Sequence, residues 1–407
     1  MTEGPPREWE TAELGEIGAI LSGLTYKPEA VGRSGTLVLR SSNIQGGRLA
    51  FDDNVYVTCA IPDRIRVRDD DILICVRNGS RRLIGKSVML DHGVAGETFG
   101  AFMAVYRSDL NPYLRYFFQS DVFTRQVEGH LGATINQITN GSLRKFVVAL
   151  PGKAERIAIT SRLDAAESLI SGLEQLIVKR KAVRLGIMRR LLTGEVRLPG
   201  FTEDWSQCQL GQMGAFLKGR GIKRDDVRSS GVACIRYGEL YTTYRDYTST
   251  TVSFVSPALA KMALPIQRGD LLFAGSGESR DEIGICVAFT GKQRAVAGGD
   301  IVVLRAPKAN AIYLSCLLNT PGLAAQKARL GQGDAVVHIS SRALASIEVV
   351  LPSRDEQDAI AQILVDTARQ VQQLEARLVK IRAIKRGMMQ RLLTGRTRLP
   401  LQEPVAA

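Results

Sequence analysis

Nine residues, GSRRLIGKS from Gly79 to Ser87, come nearest to a chemical signature in this 407-residue chain. A phosphate-binding loop of that type cradles phosphate in its backbone amides, reaches it with the lysine and holds Mg²⁺ through the hydroxyl. It needs four residues between the first glycine and the Gly-Lys pair; here there are five, and no helix-period pattern follows Ser87. A nest of amides so spaced does not close around phosphate, which leaves a nucleotide-binding enzyme working through Gly79–Ser87 as an alternative without a motif of the right length. His92, His130 and His338 stand without a carboxylate pattern or a Ser/Cys elbow, and no paired-carboxylate nuclease signature is present. The six cysteines (Cys59, Cys75, Cys208, Cys234, Cys286, Cys316) are far apart and form no CxxC pair. They read as small buried apolar residues, with neither a zinc site nor a disulfide framework expected.

Asn111-Pro112-Tyr113 resembles the catalytic tetrapeptide of adenine methyltransferases but lacks one proline, and no glycine-rich cofactor loop precedes it. Proline at the first helical position accounts for it. The chain therefore reads as a non-enzyme with no cofactor and no metal of its own. Its formal charge of +13 suggests a polyanionic partner. Residues 1–150 balance at 17 basic and 17 acidic side chains, and the excess falls as +5 in 151–200, +4 in 201–351 and +4 in 352–407. No stretch approaches the roughly 18 uninterrupted apolar residues of a spanning helix, and a cytoplasmic protein without membrane contact is expected.

The elements that must position any binding residues come in two copies. RLLTGEVRLP (Arg190 to Pro199) returns 201 residues later as RLLTGRTRLP (Arg391 to Pro400), and LPGKAERIAI from Leu150 answers LPSRDEQDAI from Leu351 at the same offset. At an offset of 196, Trp9, Leu14, Gly15, Gly18, Gly23 and Arg40 answer Trp205, Leu210, Gly211, Gly214, Gly219 and Arg236; at 199, DILICV from Asp71 answers DLLFAG from Asp270. One unit of about 200 residues is written twice. Its front three quarters have diverged and its last quarter has held.

The held part has a coiled-coil seam: apolar residues at Ile159, Leu163, Ala166, Ile170, Leu173 and Ile177, and again at Ile360, Leu364, Thr367, Val371, Leu374, Leu378 and Ile381, alternate spacings of four and three. Ser353 with Glu356, and Gly152 with Glu155, stand in the places of a capping box. Gly194 and Gly395 suit a left-handed stop, with Pro199 and Pro400 preventing a restart. The basic residues of the last turns (Lys179, Arg180, Lys181, Arg184, Arg189, Arg190; Lys380, Arg382, Lys385, Arg386, Arg391) either favour a helix carboxyl end or contact a phosphate or an acidic partner. In the varied part, RIRVRDDDILICV, FVVALP, IEVVLP and GGDIVVLRA read as strands, and NPYLRYFF and NAIYLSCLL as short buried helices capped by Asn111 and Asn310. The fold class is α+β: domains at 1–150 and 201–351, helices at 151–200 and 352–407, the two helices antiparallel and the whole pseudo-twofold symmetric.

Two variable domains, each followed by a helix that begins at LP-x-x-x-E and ends in RLLTG-x-x-RLP, resemble the specificity subunit of type I restriction-modification systems along essentially the whole chain. The resemblance implies two target recognition domains, each reading one half of a split, asymmetric double-stranded DNA site, with the helices setting the gap. It implies a non-catalytic subunit that binds two methyltransferase subunits, which use S-adenosylmethionine to methylate adenine, and that recruits motor-nuclease subunits using ATP and Mg²⁺. LPGKAERIAI departs from the family pattern in having Arg156 where glutamine is usual. A coiled-coil structural adaptor without DNA reading is the other class of function.

Reading bases needs Arg, Lys, Asn, Gln or Ser at groove-facing loops. In the first domain the densest such loop is VRNGSRR, with Arg77, Asn78, Ser80, Arg81 and Arg82, joined by Arg40, Ser41 and Asn43 and by Thr134, Asn136 and Gln137. In the second domain the counterparts are Ser276, Ser279 and Arg280, Arg236 and Tyr237, and His338, Ser340 and Arg342, joined by Lys218, Arg220, Lys223 and Arg224.

Overall fold

The computed structural model describes residues 6–131 and 136–400 and divides into two compact units. One joins the residues up to Glu174 to those from Ala376 onward; the other is Gln175–Glu375. Both mix helices and strands. The first long helix, Lys153–Leu192, is 40 residues and the second, Arg354–Leu392, is 39, about 60 Å each at 1.5 Å per residue. Each helix passes unbroken from one unit into the other. Among the described residues no helix is long and apolar enough to cross a membrane.

In the first unit an antiparallel sheet runs in the order Ala19–Ser22, Met103–Arg107, Ile72–Cys75, Ser87–Met89, with Val105 opposite both Leu21 and Leu73. All four residues of Ile72–Cys75 are buried, because both faces of this strand are covered. The expected strand does not extend back through RIRVR: Asp63–Ile65 is a 3-10 turn and Asp70 sits at φ 63°. The cause is Asp71, whose Oδ2 accepts from the Arg68 amide at 2.8 Å and turns the chain just before the strand. A second sheet sets Thr98–Phe99 parallel to Thr36–Leu39, followed by Tyr56–Val57 and Val31–Gly32.

The second unit repeats the plan with Ala215–Lys218, Ile301–Arg305, Asp270–Ala274 and Cys286–Phe289, extended by a parallel strand at Tyr247–Thr248. In both units the strand leading into a long helix, Val147–Leu150 or Glu348–Leu351, pairs with the first strand of its own unit, Glu10–Glu13 or Ser206–Gln209. The helices Asn111–Phe118 and Ala311–Leu318 form as expected, but only one asparagine caps. Asn310 accepts from the amides of Ile312 and Tyr313 at 2.9 and 3.0 Å. Asn111 lies inside its helix, buried, with its amide donating to the carbonyls of Asp70 and Tyr106.

The cores take in the ends of the long helices. Met389, Leu392 and Leu393 join Tyr106, Phe117, Phe118, Phe123 and Phe146 in the first unit, while Leu191 and Leu192 join Leu210, Phe273, Tyr313, Ile360 and Leu364 in the second. Each such side chain contributes about 1.5–3 kcal/mol through burial. Within the first unit Lys385 meets Glu167 and Arg382 meets Glu174, so the two helical segments run in opposite directions. In the second, Lys181 meets Glu375 at 2.6 Å while Leu192 packs in one core with Ile360 and Leu364, which gives the same sense. Ile159, Leu163, Ile170, Leu173, Ile177, Ile360, Leu364 and Val371 of the expected seam are buried.

The repeated RLLTG phrase ends both helices, with Gly194 and Gly395 at φ 72° and 71°, where a side chain would be strained. It also turns the chain so that its last arginine meets the start of the other long helix. Arg398 grips Glu155 with Nε at 2.6 Å and Nη2 at 2.9 Å, and Arg197 grips Glu356 with both nitrogens at 2.7 Å. Each guanidinium lies over the tryptophan of its unit, Trp9 or Trp205, at 5.8 and 5.7 Å. Glu155 and Glu356 thus serve bidentate ion pairs, not the capping boxes that their spacing suggests. A buried carboxylate that can bond a guanidinium through two parallel hydrogen bonds gains more there than from one helix amide. Arg156 fits beside them without loss, since its Nη1 donates to the Pro151 carbonyl at 2.7 Å just as Gln357 Nε2 donates to that of Pro352 at 3.0 Å.

Candidate nucleic-acid interface

Three stretches singled out in the first unit come together beyond the end of strand Ile72–Cys75. Asn78 ties them: its side-chain amide donates to Ser41 Oγ at 3.1 Å, its backbone amide to the Asn136 carbonyl at 3.3 Å, and its Oδ1 accepts from the Ser80 amide at 2.9 Å. Asn136 returns a bond to the Gly79 carbonyl at 3.1 Å, and Arg77 and Gln137 form an antiparallel β-bridge. Thr134 lies outside the described residues.

The same geometry sorts the side chains. Asn43 is 0% exposed, and its amide bonds the Ala50 and Asp53 carbonyls and Asn54 Oδ1 while its Oδ1 accepts from the Arg40 amide. It holds its own loop and has nothing left for a base. Arg40 is paired with Asp53 at 2.8 Å. Arg77, Arg81 and Arg82 are exposed and have no acidic partner among the described residues. Sequence reasoning missed Phe102, a 57% exposed ring over which the Arg77 guanidinium lies at 5.1 Å. Its only signal was an aromatic residue in the turn between Gly100 and Met103.

The second unit draws its loops together through backbone bonds: Gly219 to Ile301, Gly275 to Asp300 and Ile339 to Gly275. Ser276–Gly277 pairs with Val337–His338, Ser276 facing His338 with Oγ at 2.8 Å from Nδ1. Ser276 is only 4% exposed, whereas His338 is exposed. Arg236 is held by the buried Glu239 at 2.9 Å, which also accepts from Ser253. Ser340 caps the helix Ser341–Ala345 by accepting from the Ala343 amide, as Thr139 does for Asn140–Arg144. Arg280 bonds the Gly333 carbonyl at 3.3 Å, and Ser279 is half-buried. Tyr237, Arg342, Lys218, Arg220, Lys223 and Arg224 are exposed, and none of these five cations has an acidic partner among the described residues.

The Gly79–Ser87 stretch makes no phosphate loop. Arg81–Leu83 is a 3-10 turn, Lys86 reaches the Ser41 carbonyl at 3.5 Å, and Ser87 begins a strand with its hydroxyl on the Phe118 carbonyl. Burial raises the thiols of Cys75 and Cys234 to about 11 and that of Cys286 to about 12, which keeps them protonated and inert. Among the basic residues of the helix ends, Lys181, Arg184, Arg382 and Lys385 are ion-paired within their units. Lys179, Arg180, Arg189, Lys380, Arg386 and Arg391 have no acidic partner among the described residues.

Two α+β units of one plan, each with a cluster of polar and basic loops and each holding part of both long helices, define a duplicated scaffold. Its fold is that of type I specificity subunits. A specificity-subunit structure from Thermoanaerobacter tengcongensis covers 98% of this chain and 100% of its own at a TM-score of 0.51 and 16% identity. One from M. genitalium covers 95% and 96% at 0.58 and 14%. A chain in a structure of a type I restriction-modification system, solved for its assembly and conformational transition, covers 97% and 100% at 0.61 and 16%. In sequence the chain is similar to the StySPI specificity subunit of Salmonella potsdam, 26% identical over 59% of this chain and 55% of that one. It is also similar to the EcoKI specificity subunit of Escherichia coli K12, 23% identical over 69% of this chain and 64% of the relative. These two matches span less than two thirds of the relatives' own length; that to the MjaX specificity subunit of Methanocaldococcus jannaschii, 23% identical, spans 95%. No family model matches the chain.

Proposed function

We propose that this chain is the DNA-reading specificity subunit of a type I restriction-modification complex, cytoplasmic and without chemistry of its own. Each unit reads one half of a bipartite, asymmetric duplex site through its loop cluster, and the helices set the gap. Two methyltransferase subunits dock on the repeated helical region and methylate adenine with S-adenosylmethionine. Motor-nuclease subunits using ATP and Mg²⁺ join through that complex. The observation that carries this reading is the contrast between two unit frameworks locked by the same Arg-Glu-Trp contact and two loop clusters with different side chains. Different readers on like frameworks suit a two-part site bound by two like partners.

The test is to map methylated adenines in DNA exposed to the chain assembled with its methyltransferase subunits, before and after replacing residues 1–150 by the corresponding domain of a relative. One half-site is expected to change while the other half and the gap stay. Both halves changing together would refute the two-reader assignment, and a coiled-coil adaptor would give no sequence-selective methylation at all.

A further inference from the structure

The two loop clusters differ in nearly every side chain, yet one backbone feature recurs at the same place. In the first unit the residue two beyond strand Ile72–Cys75 bridges to a residue just before the helix Asn140–Arg144: Arg77 to Gln137. In the second the residue two beyond strand Asp270–Ala274 pairs with a residue just before the helix Ser341–Ala345: Ser276 to His338. Arg77 and Ser276 are related by the 199-residue offset of the strands, Gln137 and His338 by the 201-residue offset of the closing segments. The bridge is thus a fixed mount whose two side chains are free to vary. It lies at the meeting of the loop at the end of the central strand and the loop before the last short helix, the two loops that Asn78 and Asn136 clamp in the first unit.

Resting on the DNA-reading function above, we propose that this bridge is the specificity mount of each unit, Arg77 with Gln137 reading purine edges in one half-site and His338 reading the other. Arg77 is exposed, unpaired among the described residues and laid over Phe102 at 5.1 Å. Stacking fixes the plane of a guanidinium, and a fixed plane suits two parallel bonds to guanine O6 and N7. Gln137 carries the amide that bonds adenine N6 and N7 in the same way. In the second unit Ser276 is buried and serves to hold the ring: its Oγ occupies His338 Nδ1 at 2.8 Å and leaves Nε2 as the ring nitrogen available to a base. Ser276 is therefore a positioning residue. Arg81 and Arg82, in the neighbouring 3-10 turn and over no aromatic ring among the described residues, are assigned to phosphate.

The experiment maps the methylated sequence for the chain in complex with its methyltransferase subunits, as wild type and as Arg77→Ala, Arg77→Lys, Gln137→Ala and His338→Ala, each first checked for an unchanged thermal midpoint. Arg77→Ala and Arg77→Lys are both expected to relax the same base pair of one half-site, lowering discrimination about ten- to a hundredfold, because lysine keeps the charge but not the planar fork. Gln137→Ala is expected to relax an adjacent pair in that half, and His338→Ala a pair in the other half only. Full selectivity in Arg77→Lys, or Arg77→Ala weakening all sequences equally, would assign Arg77 to phosphate and overturn the proposal. So would unchanged methylation patterns in Arg77→Ala and His338→Ala alongside a selective wild type. A wild-type complex without sequence selectivity would instead remove the DNA-reading function itself.

Discussion

Arg398 closes on Glu155 from 243 residues away, and the same bond joins Arg197 to Glu356 across 159. Glu155 is 3% exposed and also accepts from Trp9 Nε1 at 3.1 Å, while Arg398 reaches Glu8 at 2.6 Å. Donating to the Glu155 carboxylate raises the Arg398 pKa, and donating to Glu8 adds to it. The first unit is therefore held shut by residues from both ends of the chain.

Arg398→Ala is expected to lower the thermal midpoint by several degrees, because it strands a buried carboxylate whose other partner is only an indole N–H. Arg197→Ala strands the buried Glu356 in the second unit, where the Trp205 indole N–H makes no bond to it. Scanning calorimetry of both variants, with Arg391→Ala as a control in a residue without an acidic partner among the described residues, reads the difference. Equal midpoints for Arg398→Ala and Arg391→Ala would show that the lock does not stabilise the fold.

Lys327 is 2% exposed, and its ammonium donates to the Gly284 carbonyl at 2.7 Å. The first unit has Val127 packed on Gly85 at the corresponding place. Burial lowers the Lys327 pKa to about 8. The unfolded chain then binds the extra proton between about pH 8 and the ordinary lysine value of 10.5, so wild-type stability rises with pH through that window. Lys327→Met is expected to be more stable below pH 8 by on the order of 1–3 kcal/mol, with the advantage shrinking toward pH 10. Urea unfolding at pH 7 and pH 9.5 measures this, and an advantage that stays constant would exclude the buried ammonium as its cause.

Arg81→Ala and Arg82→Ala are expected to weaken binding to all duplexes alike and to lower the slope of log K against log salt by about one unit each. Titration of a cognate and a random duplex at two salt concentrations checks it. A loss confined to the cognate duplex would make these residues base readers.

Inserting one heptad after Ile170 and another after Val371 keeps the apolar repeat in register and lengthens each helix by about 10.5 Å. If the helices set the gap, the methylated site should gain about one to three base pairs between half-sites of unchanged sequence, at roughly 3.4 Å per pair. Methylation at the original gap by a folded variant would show that they do not.

Local order was legible along the chain. The helix pair, its glycine stops and the central strands follow from spacing and from residue type, since each is decided by neighbours within one or two turns. The duplication was legible too, and with it the like plan of both units. What neighbours could not decide was which partner a side chain finds across the fold. Glu155 and Glu356 stand at capping-box spacing and nevertheless bond distant arginines, and Asn111 and Asn310 occupy matching places yet only Asn310 caps. Asn43 and Arg77 look alike as polar loop residues. Folding spends one on four bonds inside its loop and leaves the other exposed over Phe102. Burial and long-range pairing depend on the packing of segments up to hundreds of residues apart, and only the tertiary structure brings those segments together.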